Sequence, residues 1–416
     1  MSDLARPNGI TDPAALAAPD PAQPRISVVM ANFNGGQYLR RAVRSVLDQT
    51  HRNLELILSD DGSRDDSRDI IREEMARDRR IRLVEAPAST GPAGARNRAL
   101  AVASGDWIAI VDSDDIIHPE RLARLLLSAQ ALDADLVADD LIYFGDEPGD
   151  HAGTLLQPLA LQGPHQIDAK ELVSGVLCGS KDVSLGYLKP LIRRSALGQV
   201  RYDESLRIDE DHNLYLRLTL AGAKFMLIPD AMYLYRRHRL STSHRQSAAN
   251  LERMLAAQSA FLRDLPSEHG DLRPTLLSRM REHSQELGYL RALEALKARD
   301  WLGAARRLLQ NPRNLVSLLH SAKEHALRQR HQQPTARTRM TLALGHAASD
   351  ALTAFPGHAV FEVPDLPDTP WSPSQASIWA RLARLACDHD LDIVALGPPG
   401  QYALGLVPRH VAAQVL

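Results

Sequence analysis

Between residues 26 and 138, short apolar runs rich in β-branched residues alternate with amphipathic stretches of helical spacing, and few folds admit that rhythm. Ile26-Ser-Val-Val-Met30, Leu54-Glu-Leu-Ile-Leu-Ser59, Ile81-Arg-Leu-Val84, Trp107-Ile-Ala-Ile-Val111 and Ala134-Asp-Leu-Val-Ala138 read as strands. Tyr38, Ala42 and Val46, with Leu39, Val43 and Leu47 beside them, mark a helix that covers a sheet. Ile70, Ile71 and Met75 mark a second helix, and a third opens near Pro92, carries Arg96 and Asn97 and has Gly105 placed to end it. Leu122, Leu125, Leu126, Ala129 and Leu132 mark a fourth. Strand-helix alternation with short connections predicts an α/β fold, a doubly wound, mostly parallel sheet flanked by helices.

In such a sheet ligands bind beyond the carboxyl ends of the strands, where the strand order reverses. The polar turns fall in those positions: Asn32-Phe-Asn-Gly-Gly36, Asp60-Asp-Gly-Ser63, Gly91 to Asn97 and Asp112 to Asp115. The last is the most informative. A buried strand ends there in three carboxylates, and alternate residues share a face, so Asp112 and Asp114 are expected to converge on one point. Paired hard oxygen ligands suit Mg²⁺ or Mn²⁺, and magnesium is usually held by one or two carboxylates and substrate phosphates. The competing reading is a solvated acidic turn before a helix starting near Pro119, and Asp115 is assigned to capping that helix. An aromatic, paired acids, a basic residue near a helix N-terminus and a metal site describe a nucleotide diphosphate pocket.

A formal net charge of −2 excludes a generic nucleic-acid binder. Cys178 and Cys387 are far apart and outside any CxxC or Cys/His pattern, which supports neither a disulfide framework nor a thiolate metal site; both read as core fillers. The spacings of His212, His238 and His244 match no standard zinc pattern. Residues 1–24 read as a disordered leader without the features of a signal peptide, and no apolar run is long enough to span a membrane. The expected location is the cytoplasm.

From about Arg25 to His244 the chain resembles the inverting family 2 glycosyltransferases, whose fold is called GT-A, and among them the bacterial exopolysaccharide type of succinoglycan assembly. The resemblance rests on Ile26 to Asn34, Ser45-Val-Leu-Asp-Gln-Thr50, Asp60-Asp-Gly-Ser63, Gly91 to Asn97 and Val111-Asp-Ser-Asp-Asp115. It continues in Asp209-Glu-Asp-His-Asn-Leu-Tyr-Leu-Arg-Leu218 and Tyr235-Arg-Arg-His-Arg-Leu-Ser241. Ala31 departs from the pattern, standing where many members carry Thr or Ser. The resemblance implies a sugar nucleotide donor, a UDP-sugar, and a glycan or lipid-linked saccharide acceptor.

By that resemblance Phe33 flanks the base, Asp61 accepts the uracil N–H, Arg96 meets the diphosphate, Asp114 ligates the metal, and Asp112 reaches the ribose or the metal through water. Read without it, Phe33 is a core aromatic and Arg96 a salt-bridge partner of Asp112 or Asp61. Asp211 is assigned as general base, with Glu210 orienting it; the competing reading is an acidic first turn of a helix marked by Leu214, Leu216 and Leu218. Lys189, in Gly186-Tyr-Leu-Lys-Pro190, is placed at the donor phosphate or the acceptor. Tyr235, Arg237, His238 and Ser241 are read as a lid over the diphosphate.

These motifs set a GT-A domain at residues 25–246. Residues 247–333 read as a separate helical bundle whose Arg306, Arg307, Arg313, Lys323, Arg328 and Arg330 suit peripheral contact with an anionic membrane on its inner face, or else a solvated surface. Residues 334–416 have no assigned role beyond a strand at Leu391 to Leu396. Other functions fit the sequence less well. A sugar nucleotidyltransferase wants a basic phosphate loop after the first strand, and Asn32 to Gly36 carries no positive charge. A silent scaffolding subunit would have no need of Asp112, Asp114 and Asp211 together.

Overall fold

The computed structural model describes residues 23–145, 154–180, 183–238 and 247–310, together with four strands between 340 and 408. Its main sheet runs β3-β2-β1-β4-β8-β6-β9-β5, with β7 attached to β9. The first four strands are β1 (Ile26–Asn32), β2 (Leu54–Asp60), β3 (Ile81–Glu85) and β4 (Trp107–Ile110). All pair in parallel, with β1 between β2 and β4. The burial of β1, β2 and β4 explains their apolar runs, because a parallel sheet is covered on both faces, while β3 at the edge is mostly part-exposed. Helices α1 (Gly36–Leu47), α2 (Ser67–Arg77), α3 (Pro92–Leu100) and α4 (Arg121–Ala131) connect or follow them. In α1 both expected rows, from Tyr38 to Leu47, are buried.

Beyond β4 the sheet becomes mixed. β8 (Leu191–Arg193) runs antiparallel to both β4 and β6 (Leu136–Gly145), while β6 and β9 (Phe225–Arg237) are parallel. β9 changes partners along its length, pairing first with β7 (His165–Ile167) and later with the two-residue β5 (Ile116–Ile117). The β6–β9 register slips around Asp140, opposite the stretch of β9 that holds Pro229. A bulge is where a strand tolerates a proline, since no ladder N–H is required there. The resulting bend carries the end of β9 over the Asp112–Asp115 turn.

Several expectations need correction. Gly105 does not end α3, which stops at Leu100; instead Gly105 lets the chain approach β1, where a Cβ would lie 2.6 Å from the Ser27 nitrogen. The fourth helix begins at Arg121 and its N-cap is Glu120, so Asp115 caps nothing. Asp115 is buried and accepts from the Tyr233 hydroxyl (2.6 Å) and the Arg236 N–H (2.7 Å). Cys178 is exposed, because it sits at a left-handed turn (φ 49°) closed by Leu177 and Ser180; Cys387 lies outside the described residues.

The described later helices pack against the sheet domain. α5 (Ala169–Ser174), α6 (Arg194–Leu197) and α7 (Glu210–Leu220) belong to the sheet domain, and α8 (Ala248–Asp264), α9 (Arg273–Lys297) and α10 (Trp301–Gln310) follow. Leu272 and Leu276 are buried in the same core as the sheet. Leu206 of the sheet domain packs with Leu251 and Met254 of α8. Of the basic residues proposed to meet a membrane, Arg306 is exposed, and those from Arg313 to Arg330 lie outside the described residues. No described helix is long and apolar enough to cross a membrane. The four remaining strands are β10 (Met340–Leu344), β11 (Ala359–Val363), β12 (Leu391–Leu396) and β13 (Ala403–Pro408). They pair in the order β11-β10-β13-β12, and β12 is the strand read at Leu391 to Leu396.

Candidate active site

Sequence order places β2 on one side of β1 and β4 on the other, so the crevice between the ends of β1 and β4 is the switch point of the sheet. A cleft of about 690 Å³ opens there, within the range of ligand pockets. Its walls include Asn32, Phe33 and Asn34 after β1, Asp112, Ser113 and Asp114 after β4, and the N-terminus of α3 at Gly91 and Pro92.

Five ionisable side chains meet at its floor. Arg96 donates through one guanidinium nitrogen to Asp112 Oδ1 (2.8 Å) and through another to Glu210 Oε1 (2.7 Å), and it stands 3.2 Å from Asp211 Oδ1. Lys189 Nζ joins Asp211 Oδ2 (2.8 Å) to Asp112 Oδ2 (2.9 Å). Arg96, Lys189, Glu210 and Asp211 are all buried. Three acidic side chains therefore share two cations, and the acids at positions 112 and 210–211, far apart in sequence, form one cluster.

Environment divides these groups. Burial works against ionised Asp112, but Lys189 and Arg96 outweigh it and hold that carboxyl well below its usual range. Glu210 goes the other way: burial and then the charge of Asp211 push it up to about 7. Burial also opposes the charge of Lys189, yet Asp112 and Asp211 raise its pKa above the usual lysine range. The α7 first turn places both acids at a helix N-terminus, where negative charge is favoured.

Around the rim the expected residues take distinct positions. Phe33 is 54% exposed, so it is a solvent-facing aromatic at the cleft mouth and no part of the core. Asp61 is buried with both oxygens engaged, by the Ser89 hydroxyl (2.6 Å), Thr90, the Gly91 N–H (2.8 Å) and Arg98 (2.6 Å). Despite the cost of burial, those donors lower it to about 2. Gly91 reaches Asp61 from a left-handed backbone (φ 91°), and a Cβ there would collide with Arg207. Asp114 Oδ2 lies within hydrogen-bond distance of His238 Nε2, at 2.8 Å, and the His238 ring packs on Tyr38. Arg237 instead lies over the Tyr143 ring, 3.9 Å from its centroid, and is not among the cleft-lining residues; Ser241 lies outside the described residues.

Arg98 was not singled out from sequence, and His238 takes a role other than the lid expected of it. Arg98 is the partner of Asp61, while Arg96, two residues away and so on the far side of α3, turns to Asp112. His238 had been read as lid material, and its pairing with Asp114 depends on the bend in β9. Asp115 completes that link from beneath: its Tyr233 partner accepts the Asp112 N–H (3.1 Å), and Arg236 Nε donates to the Asp114 carbonyl (2.8 Å). Burial, with Asp114 and Asp112 adding, pushes the Asp115 carboxyl well above its usual range.

Residues 27–179 match the family model described as Glycosyl transferase family 2. Succinoglycan biosynthesis protein ExoO of Rhizobium meliloti is 30% identical over 291 residues, covering 70% of this chain and 82% of that protein. Glycosyltransferase GlyG of Streptococcus pneumoniae is 32% identical over 221 residues, covering 51% of this chain and 70% of the other. Among solved structures, S. aureus TarS 1-349 aligns with a TM-score of 0.50 at 19% identity, over 69% of this chain and 80% of that one, a likeness of fold.

Proposed function

The chain belongs to glycosyl transferase family 2, and from that membership we propose that it moves a sugar from a UDP-sugar to a hydroxyl of a glycan or lipid-linked saccharide, with inversion, in polysaccharide biosynthesis. The observation that carries this reading is the meeting of Asp112, Glu210 and Asp211 with Arg96 and Lys189 at the floor of a cleft rimmed by Phe33.

In this reading Phe33 stacks on the base, and the Asp61 carboxylate takes the ring N–H in exchange for one of its hydroxyl donors. The α3 N-terminus, with its unsatisfied amides, faces the diphosphate. Asp114 suits a Mg²⁺ or Mn²⁺ ion, since it is a half-buried carboxylate at the cleft with His238 beside it; Asp112, whose oxygens are both ion-paired, reaches ribose or metal-bound water. Such an ion, when bound, neutralises charge on the departing diphosphate.

Inversion by single displacement needs a base on the face opposite the leaving group. The acceptor oxygen bonds to the anomeric carbon as its bond to the diphosphate breaks; the electron pair leaves with the diphosphate and the hydroxyl proton passes to Asp211. Lys189 and Arg96 hold Asp211 in place for that transfer, and Glu210, bonded to Arg96, orients the cluster.

The test is to incubate the full chain with a panel of sugar nucleotides, with and without Mg²⁺ or Mn²⁺, measuring binding and slow donor hydrolysis. Metal-dependent binding of a UDP-sugar is expected. Failure to bind any sugar nucleotide would overturn the proposal.

A further inference from the structure

A second group of side chains with metal-ligating chemistry lies outside the cleft, where β7, α5 and the turn at Cys178 meet. His165 Nε2 is 3.0 and 3.1 Å from the two Glu171 oxygens, and Cys178 Sγ is 3.7 Å from either ring nitrogen of His165. One ligand atom from each residue can be chosen so that all lie within 4.8 Å of one another. None of the three lines the cleft.

The backbone holds each of them in place. His165 begins β7, which is fixed to β9. Glu171 is the third residue of α5 and completes a capping box with Asp168. Cys178 occupies the left-handed turn closed by the Leu177 and Ser180 backbones, and its own N–H donates to Glu171 Oε1 (3.2 Å). A left-handed backbone is uncommon for any residue but glycine and persists where its surroundings fix it.

The His165–Glu171 spacing suits a tetrahedral ion, and Cys178 lies within reach of the same ion. Zinc bonds of about 2.3 Å to sulfur and about 2.0 Å to nitrogen and oxygen place the sulfur roughly 3.5 Å from the nitrogen and the nitrogen roughly 3.3 Å from the oxygen. The nitrogen–oxygen separations of 3.0–3.1 Å come within a few tenths of an ångström of the latter, whereas Cys178 Sγ, 3.7 Å from both ring nitrogens, lies beside the ring, so an ion on Nε2 would draw the exposed Cys178 side chain round to it. A thiolate, an imidazole and a carboxylate together favour zinc over the hard cations, which take oxygen ligands. Without a cation, partial burial and then the Glu171 charge raise the Cys178 thiol pKa; a bound ion would reverse that local balance.

We propose that His165, Glu171 and Cys178 form a zinc site, with water in the fourth position, that clasps β7 to α5 and the following turn. The clasp is linked to the catalytic helix. The His212 ring of α7 bonds the Leu172 carbonyl of α5 at 2.7 Å, two residues from Glu210, so zinc would steady the helix that carries both acids.

The experiment strips the full chain with a chelator and titrates zinc against a chromophoric competitor. One zinc ion per chain is expected, and C178S or H165Q should weaken binding by roughly 100-fold or more. Both changes lie at partly exposed positions, and circular dichroism confirms folding. Cobalt in place of zinc should give a sulfur-to-cobalt charge-transfer band that C178S removes, whereas magnesium should not compete. Zinc uptake unchanged in C178S, no stoichiometric zinc, or cobalt without a thiolate band would each overturn the assignment, whatever the donor specificity of the enzyme.

Discussion

Replacing Asp211 by Asn removes one negative charge from the buried cluster and keeps its shape. The side-chain oxygen of Asn can still accept from Lys189, so the loss is the charge-assisted part of one bond and the contact with Arg96. Hydrogen bonds to charged groups contribute about 1.5–3 kcal/mol, which sets a stability cost of about 1–3 kcal/mol. A lost general base costs roughly 10²–10⁴ in rate, equivalent to about 3–5 kcal/mol of barrier. With a typical domain stability of about 5–15 kcal/mol, the variant stays folded, so unfolding cannot account for a loss of that size. A second readout follows from Glu210. Its carboxyl, ordinarily at 4.5, sits at about 7 because of burial and Asp211. Between those two values the native state keeps a proton that the unfolded chain releases, so stability falls as pH rises, by about 3 kcal/mol in all. The depressed Asp112 acts below this window and the raised Lys189 above it. Asp140, also near 7, contributes to both proteins and drops out of their difference. In Asp211→Asn, Glu210 should titrate lower and part of that decline should vanish, the part due to burial remaining. The assays are transfer to acceptor, UDP binding by calorimetry, and urea unfolding from pH 5 to 8. Near-normal turnover in Asp211→Asn would refute the assignment, and loss of activity only in Glu210→Gln would move the base to Glu210.

Asp114→Asn should abolish metal-dependent UDP affinity with the fold intact, and calorimetry with and without chelator checks it; equal wild-type affinity in both conditions would remove the metal from the account. Phe33→Ala, at an exposed rim position, should weaken UDP binding by about 1–3 kcal/mol while changing unfolding by no more than about 0.5 kcal/mol. Leu276→Ala, in α9 but within the sheet's core, should cost about 2–5 kcal/mol in urea unfolding. An effect near zero would support the reading of the later helices as a separate bundle.

The sequence by itself determined the α/β alternation, the four parallel strands and the polar turns at their carboxyl ends. These are local properties, since strand and helix periodicity and turn chemistry are written in neighbouring residues. Family motifs added Glu210 and Asp211, which α7 does bring to Asp112. Tertiary structure decided what no local pattern specifies: which cation pairs with which acid. Arg96 and Arg98 are almost adjacent in sequence, yet helical geometry sends one to the cleft floor and the other to Asp61. His238 meets Asp114 only because β9 bends at its bulge, and Asp115 is buried beneath that contact where a helix cap was expected. Cys178 read as an isolated core filler because His165 and Glu171 are separated from it along the chain, and only a strand edge, a helix cap and a left-handed turn place their ligand atoms together. Sequence spacing records distance along the backbone, whereas ligation and ion pairing depend on distance through space.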